Sequence, residues 1–268
     1  MQFLALYRPA LLRPGRQTQK HSRHDLGHVE LITWELGSQV RRWYTFHMRK
    51  TKFVTQEFYH IYNRGVDKRD IFMDSDDVIR FLLCMSVFNI EDPIGSIYEN
   101  SFLKKKQLGS RAPKLGKLVN FVAYCLNQNH YHFILEPLTD DGVQKFMHKL
   151  STGYTNYFNE KYKRSGSLFQ GKYKATHISS NNYLLHLSVY VNWNYRVHKG
   201  LNKKWMENLT ISSFPEYIGE TAKSFCVKDI ILGQFSDVKE YRSFCEETLP
   251  WILRRKDEEK DLKYMLLE

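Results

Sequence analysis

Acidic residues are absent from two strongly basic stretches of the 268-residue chain. Residues 101–117 hold six lysine or arginine residues and residues 161–174 hold five, without one Asp or Glu in either stretch. Clustered cationic charge attracts polyanions through counterion release, so nucleic acid is the first partner to consider. The alternative interpretation is a solvated cationic surface that only keeps the protein soluble.

Cysteine is scarce, and no two cysteines form a Cys-x-x-Cys pair. The four are Cys84, Cys125, Cys226 and Cys245. Their spacing suggests neither a zinc knuckle nor a disulfide scaffold, so we expect reduced thiols and a cytoplasmic protein. No apolar run approaches the ~20 residues that span a bilayer, and the first residues lack the basic start of a secretory signal. We therefore expect no membrane partner.

The pattern of apolar residues divides the chain into three parts. Residues 1–47 show no clear periodicity, so we interpret them as a disordered arm or as upstream codons read through, with Met48 as the true start. Residues 48–200 are patterned throughout and predict one domain. Residues 201–268 predict a mainly helical C-terminal extension that packs on this domain.

Strands and helices alternate within the patterned segment. Predicted strands occupy residues 52–65, 117–128, 129–137 and 171–180. Predicted helices occupy residues 74–90, 140–164 and 181–200, the last one capped by Asn and ended by Gly200. The order predicts an α+β fold of the ferredoxin-like, split βαβ type, an antiparallel sheet with helices on one face, plus one further helix.

The segment "QNHYHFILEP" places His130 and His132 on one predicted strand. Side chains alternate along a strand, so both imidazoles point to one face and Tyr131 points to the other. Two imidazoles on one face can hold a divalent ion. Core histidines with hydrogen-bond partners are the alternative, because leaving them unpaired would cost about 1–3 kcal/mol each.

The last predicted helix carries a second group of polar residues. Tyr190 and Asn194 are four residues apart and share a face, and His186 lies one turn earlier. An amide oxygen can complete a hard-metal site, and a phenol beside the metal can attack phosphorus. Taken alone, Tyr190 is also explained as one packing residue among 17 tyrosines.

Four segments together resemble a known family. They are "FYHIYNRGVDKRDIF", "NQNHYHFILEP", "GYTNYFNEKYKRSGSLFQGKYKA" and "YLLHLSVYVNWNYRVHKG". In this order they resemble the single-tyrosine HUH transposases, and specifically the REP-associated tyrosine transposases. The resemblance covers roughly residues 53–220 and makes residues 48–200 the expected transposase domain.

The resemblance implies a site and a reaction. His130, His132 and Asn194 are expected to hold Mg²⁺ or Mn²⁺, and Tyr190 is expected to cleave single-stranded DNA through a 5′-phosphotyrosine intermediate. The 3′-hydroxyl of another strand can then rejoin the DNA, which is transposition. Family members act on DNA hairpins, so a single-stranded hairpin is the expected partner of a monomer or homodimer. Many relatives have Asn-Pro where this chain has Asn194 and Tyr195.

Arg164, Lys172 and Lys174 interleave with aromatic rings, which suits single-stranded DNA because phosphates pair with cations and bases stack on rings. The lysine-rich loop at residues 104–117 could clamp the stem of a hairpin. The predicted DNA-binding residues are Lys104, Lys105, Lys106, Arg111, Arg164, Lys172, Tyr173, Lys174 and Arg64. Each basic loop could instead be a solvated connection.

Three alternatives remain open from sequence. The nucleophile could be Tyr154, Tyr157 or Tyr162 on the preceding helix, although none has an amide four residues later. The protein could be a domesticated relative that binds hairpin DNA or RNA without cleaving it. A zinc hydrolase using both histidines is the third alternative, but it lacks a third strong ligand and a carboxylate base.

Overall fold

A computed structural model describes residues 51–91, 116–197, 210–221 and 224–265 of the chain. All of them belong to one compact unit, Lys50–Glu268. The predicted arm at residues 1–47, the boundary near residue 200 and the cations Lys104, Lys105, Lys106 and Arg111 lie outside the described residues.

Five strands form one sheet. They are β1 (Tyr59–Arg64), β2 (Val119–Asn127), β3 (His130–Pro137), β4 (Lys174–His177) and β5 (Ile211–Ser212). Their order is β4-β1-β3-β2-β5, and every neighbouring pair is antiparallel. The first four strands have the order of a split βαβ sheet, with β1 and β3 at its centre. The predicted α+β, ferredoxin-like fold class is confirmed.

Seven helices are seen in the described part of the chain. They are α1 (Ser75–Val87), α2 (Gly142–Lys161), α3 (Asn181–Asn192), α4 (Asn194–Val197), α5 (Phe214–Tyr217), α6 (Asp229–Leu232) and α7 (Val238–Met265). Helix α1 begins as predicted, because the Asp74 side chain accepts a hydrogen bond from Asp77 N and so caps the first turn.

The two faces of the sheet carry separate cores. Tyr131, Phe133 and Leu135 of β3 point into the core formed with α1 and α2. Ile134 of the same strand points into the opposite core, formed with α3 and α7. Burying one such side chain contributes about 1.5–3 kcal/mol, so a register slip in β3 would expose a whole row of them and is strongly disfavoured.

The predicted single helix over residues 181–200 is wrong in two respects. Its N-cap is Ser180, whose side-chain oxygen accepts from Tyr183 N, and not an asparagine. The helix also ends at Asn192, because Trp193 leaves the helical region (φ −111°, ψ 22°) and packs its ring 5.0 Å from that of Phe214. Tyr190 and Asn194 therefore lie on different helices, α3 and α4.

The C-terminal part differs from the sequence prediction as well. Strand β5 was not predicted, and it extends the sheet by pairing with β2. After α6 the extension continues as one long helix, α7, with Pro250 inside it. The ring of His186 lies 5.5 Å from that of Phe244 and 5.6 Å from that of Trp251, so it faces α7 and not the sheet.

Strand β1 is shorter than predicted, since pairing begins only at Tyr59. Glu57 and the three residues before it are exposed and carry no ladder of hydrogen bonds to a neighbouring strand. Within the described ranges, no helix combines the length and the apolar character that a membrane span requires.

Candidate active site

Strand β3 presents both histidines of the His-x-His motif to helix α3. Tyr131 and Phe133 are buried in the α1–α2 core, so the alternation of the strand turns His130 and His132 to the opposite face. His132 is buried, with 7% of its surface exposed, whereas His130 is partly buried. The predicted orientation of the pair is found in the structure.

Helix α3 brings Tyr190 onto this pair. Leu184, Leu187 and Val191 are buried in the core between α3 and the sheet, which fixes the helix against β2 and β3. The ring of Tyr190 stands edge to face with that of His132, with centroids 5.4 Å apart and an interplanar angle of 86°. Its partial exposure leaves the phenol accessible to a ligand on the sheet surface.

The ring of His130 is oriented by its neighbour in the β2–β3 turn. Asn129 Nδ2 donates to Lys68 O (3.2 Å), which directs the amide oxygen of Asn129 towards His130. His130 Nδ1 lies 2.6 Å from this oxygen and must carry the proton, because an amide oxygen only accepts. The lone pair of the ring therefore stands on Nε2, 3.1 Å from Asn194 Oδ1.

Asn194 turns its amide oxygen towards His130 even though its helix is separate from α3. Asn127 Nδ2 donates to Asn194 Oδ1 (2.9 Å) and lies 3.1 Å from His130 Nε2, which fixes the orientation of the Asn194 amide. Asn194 is fully buried, and its Nδ2 has no hydrogen-bond partner among the described residues. A buried unsatisfied amide costs about 1–3 kcal/mol, a cost that is tolerated where the position of the oxygen matters.

His132 is oriented by a residue that sequence reasoning missed. His60 Nε2 lies 2.9 Å from His132 Nδ1, and the two rings stack with centroids 5.1 Å apart. His60 faces Ile134 in the β1–β3 register, so it reaches His132 diagonally across the strands. Side-chain alternation along β1 places His60 and Tyr62 on the same face. Only the pairing of Tyr62 with His132 shows that this is also the face of the His-x-His motif.

Burial keeps the imidazoles of His60 and His130 neutral. It lowers the pKa of His60 to about 4. It is also the main reason why the pKa of His130 falls to about 4. The hydrogen bond that a protonated ring would donate to Asn194 opposes this shift, and the charges of Lys256 and Arg64 add to it. A neutral imidazole keeps a lone pair for a cation at physiological pH.

The residues present fit a divalent cation. His130 Nε2 and Asn194 Oδ1 are both acceptors and face each other at 3.1 Å, as ligands of one cation do. His132 uses Nδ1 towards His60, so Nε2 is the nitrogen that would bind. No cluster of three or more His, Cys, Asp or Glu side chains able to hold a metal occurs in the described ranges. The third candidate ligand beside the two imidazoles is the amide oxygen of Asn194.

Two of the predicted DNA-binding residues lie on the histidine face. Arg64 pairs with His130 across β1 and β3, is exposed, and donates from Nε to Gln170 Oε1. Lys174 pairs with Tyr62 across β1 and β4, and its Nζ lies 5.9 Å from the centre of the Tyr62 ring. Both cations therefore lie on the same side of the two histidines, Arg64 on the neighbouring strand β1 and Lys174 on the edge strand β4.

The other described DNA-binding candidates lie elsewhere. Tyr173 packs against the α1–α2 core on the opposite side of the sheet, and Lys172 is exposed beside it. Arg164 is held at the end of α2, where its guanidinium donates to Asn159 Oδ1 (3.0 Å) and Ser167 O (3.2 Å). Tyr173 and Arg164 are therefore not brought to the histidine face.

The alternative nucleophiles are on the wrong face for this site. Tyr154 is buried in the α1–α2 core and donates to Ile71 O. Tyr157 and Tyr162 both donate to the carboxylate of Asp77 in α1. The sheet lies between all three phenols and the imidazoles of His130 and His132.

Comparison with known proteins agrees with the position of this site. Residues 114–194 match the family model described as "Transposase IS200 like", a segment that contains both histidines, Tyr190 and Asn194. No curated protein is significantly similar to the chain. A solved structure of a REP-associated tyrosine transposase bound to a REP hairpin is 10% identical, with a TM-score of 0.39 over 65% of this chain and 86% of that chain.

The family match is independent of the side-chain geometry and falls on the strands and helix that build the site. It confirms the family resemblance that the four sequence segments indicate. The segment of this chain that carries His130, His132, Tyr190 and Asn194 is thus similar to the IS200-like transposase family.

Proposed function

We propose that the protein cleaves and rejoins single-stranded DNA at hairpin-forming sequences, with Tyr190 as the nucleophile. The observation that carries the proposal is the convergence of four polar groups on one face of the sheet. The Tyr190 ring stands 5.4 Å from that of His132, and Asn194 Oδ1 lies 3.1 Å from His130 Nε2. A pure binding protein has no physical need for this combination.

The proposed reaction is two transesterifications. The phenolic oxygen of Tyr190 bonds to the scissile phosphorus, and the bond from phosphorus to the 3′ oxygen of the upstream strand breaks. The phenol loses its proton and the departing oxygen gains one, which leaves a 5′-phosphotyrosine and a free 3′-hydroxyl. A 3′-hydroxyl from another strand reverses these bond changes and joins the DNA without a nucleotide cofactor.

We assign the binding of Mg²⁺ or Mn²⁺ to His130, His132 and Asn194. When bound, the ion supplies Lewis-acid polarisation of the phosphate and stabilises charge on the departing oxygen. His130 Nε2 has one lone pair, so its hydrogen bond from Asn127 Nδ2 must break when the cation binds. Asn194 Oδ1 has two lone pairs and can keep its hydrogen bond from Asn127. Asn129 holds the ring of His130 throughout.

A hairpin is the substrate that the family resemblance implies. We place the activity in the predicted domain of residues 48–200, and the choice between monomer and homodimer stays a prediction. Arg64 and Lys174 lie beside the histidines, on the β1 and β4 side of β3, and would contact phosphates of a strand bound across this face. Tyr62, partly exposed between them, offers a ring on which a base can stack.

The proposal is tested with labelled single-stranded DNA hairpins from the genomic sequence beside the gene. We expect a covalent protein–DNA adduct that survives denaturation, forms only with Mg²⁺ or Mn²⁺, and is accompanied by a strand with a free 3′-hydroxyl. Hairpin binding without any adduct under these conditions would instead support the non-cleaving binding protein.

Replacing Arg64 or Lys174 with alanine is expected to weaken hairpin binding most at low salt. Each phosphate contact on a single strand contributes about 0.7 to the slope of log K against log salt, so each variant should lower the slope by about that amount. Lys239→Ala on α7, also exposed, is the matched control and should leave the slope unchanged. Equal slopes for all three variants would contradict the assignment of this face.

A further inference from the structure

His60 is a buried histidine that the proposed chemistry does not use. It retains 8% of its surface exposed, and its ring stacks on both Tyr62 (4.9 Å) and His132 (5.1 Å). Its ring also stands edge to face with that of Tyr190, 6.1 Å away. These contacts hold the imidazole of His60 in one orientation, with its Nε2 fixed 2.9 Å from His132 Nδ1.

The hydrogen bond between the two histidines can be made in only two ways when both rings are neutral. If His60 Nε2 carries the proton, it donates to His132 Nδ1, and His132 must then be protonated on Nε2. If His132 Nδ1 carries the proton, it donates to His60 Nε2, and the lone pair of His132 moves to Nε2. Only the second arrangement allows His132 to bind a cation through Nε2.

The same logic already applies to the other histidine of the motif. Asn129 Oδ1 accepts from His130 Nδ1 and so places the lone pair of His130 on Nε2. Metal-binding histidines commonly donate their second ring N–H to such an acceptor, which fixes the tautomer and the orientation of the ring. Each histidine of the motif thus has its own partner, an amide oxygen for His130 and an imidazole nitrogen for His132.

We propose that His60 is the positioning residue of His132: its Nε2 accepts the Nδ1 proton of His132 and presents the Nε2 lone pair of His132 to the divalent cation. This inference rests on the proposed function of the site. It adds a residue of β1 to the cation site, which otherwise consists of the His-x-His motif on β3, Tyr190 on α3 and Asn194 on α4.

The test compares His60→Gln with His60→Leu. A glutamine can place its amide oxygen near the position of imidazole Nε2 and still accept from His132, whereas leucine has similar bulk and no acceptor. Nitrogen-15 NMR of the His132 ring, at a pH where imidazoles are neutral, reports which nitrogen carries the proton. Mn²⁺ affinity and the melting temperature are measured on the same full-length variants.

We expect His132 to carry its proton on Nδ1 in the wild type and in His60→Gln, and to shift towards Nε2 in His60→Leu. Mn²⁺ binding should weaken by about 10-fold to 100-fold in His60→Leu and largely recover in His60→Gln. If His60 only stabilised the fold, both His60→Gln and His60→Leu would lower the melting temperature, and His132 would carry its proton on the same nitrogen in both.

The outcomes distinguish this inference from the proposed function. In the first outcome, the wild type binds Mn²⁺ more tightly than His132→Ala, and His60→Leu keeps the wild-type tautomer and affinity. This result overturns the role of His60 and leaves the cation site intact. Wild-type protein that binds Mn²⁺ no better than His132→Ala overturns the cation site itself, and the role of His60 with it.

Discussion

Replacing Tyr190 with phenylalanine is expected to abolish the covalent DNA adduct. The substitution removes only the oxygen that attacks phosphorus. Tyr62, another phenol on this face, stacks on His132 with centroids 5.6 Å apart, and we assign its ring to base stacking and not to the attack. We expect adduct formation to fall by at least about a thousandfold, which corresponds to about 4 kcal/mol of lost transition-state stabilisation. The measurement is the rate of adduct formation on a labelled hairpin with Mg²⁺.

Hairpin affinity should survive this substitution. Phenylalanine keeps the ring that stands edge to face with His132, so the surface of the site is preserved. Tyr183→Phe is the matched control, because Tyr183 is an exposed phenol on the same helix, 38% accessible. Adduct formation that persists in Tyr190→Phe, or that disappears in Tyr183→Phe, would show that another tyrosine attacks.

Removing the divalent cation is expected to have an effect of similar size. Chelation of Mg²⁺ and Mn²⁺, or replacement of His132 with alanine, should slow cleavage by about a thousandfold, since Lewis-acid stabilisation of a phosphoryl transfer contributes several kcal/mol. Hairpin binding should change little, because Arg64 and Lys174 are unaltered. Cleavage rates at saturating DNA, with and without chelator, measure the effect.

His148→Ala provides the control for the histidine substitution. His148 is exposed on α2, on the far side of the sheet from His132, so its loss should leave both cleavage and Mn²⁺ binding unchanged. Full cleavage by His132→Ala, or by wild-type protein in the presence of chelator, would remove the cation from the proposed chemistry.

The first four strands and the helices α1 and α2 could be predicted because their signals are local. Residues of β3 alternate strictly, and turning His130 and His132 away from Tyr131 follows from that period alone. Asp74 was identifiable as a helix N-cap from its type and position. Such features depend on a few neighbouring residues, which is why one sequence was enough.

Features that depend on distant residues were missed. Helix α3 stops at Asn192 because Trp193 packs against Phe214, a contact between segments that the sequence does not place side by side. The i, i+4 argument for Tyr190 and Asn194 assumed a continuous helix, and it is Asn127 on β2 that orients the Asn194 amide. Both residues thus reach the His-x-His face, although not on the continuous helix that the i, i+4 argument assumed.

The contribution of β1 was invisible for the same reason. His60 lies in the first of the four segments that resemble the transposase family, but nothing in its neighbouring residues distinguishes it from a core histidine. Its meeting with His132 depends on the order β4-β1-β3-β2-β5 and on the pairing of Tyr62 with His132. A ferredoxin-like topology predicts that β1 and β3 are neighbours, whereas the register that makes the contact needs the folded structure.

The central claim is that the phenol of Tyr190 attacks DNA beside the two imidazoles of β3. Mass spectrometry of the trapped adduct, after digestion of protein and DNA, locates the modified residue directly. We predict a 5′-phosphonucleotide on the peptide that contains Tyr190, absent when Mg²⁺ and Mn²⁺ are withheld. A nucleotide found instead on Tyr154, Tyr157 or Tyr162, or an adduct that forms equally well without a divalent cation, would contradict it.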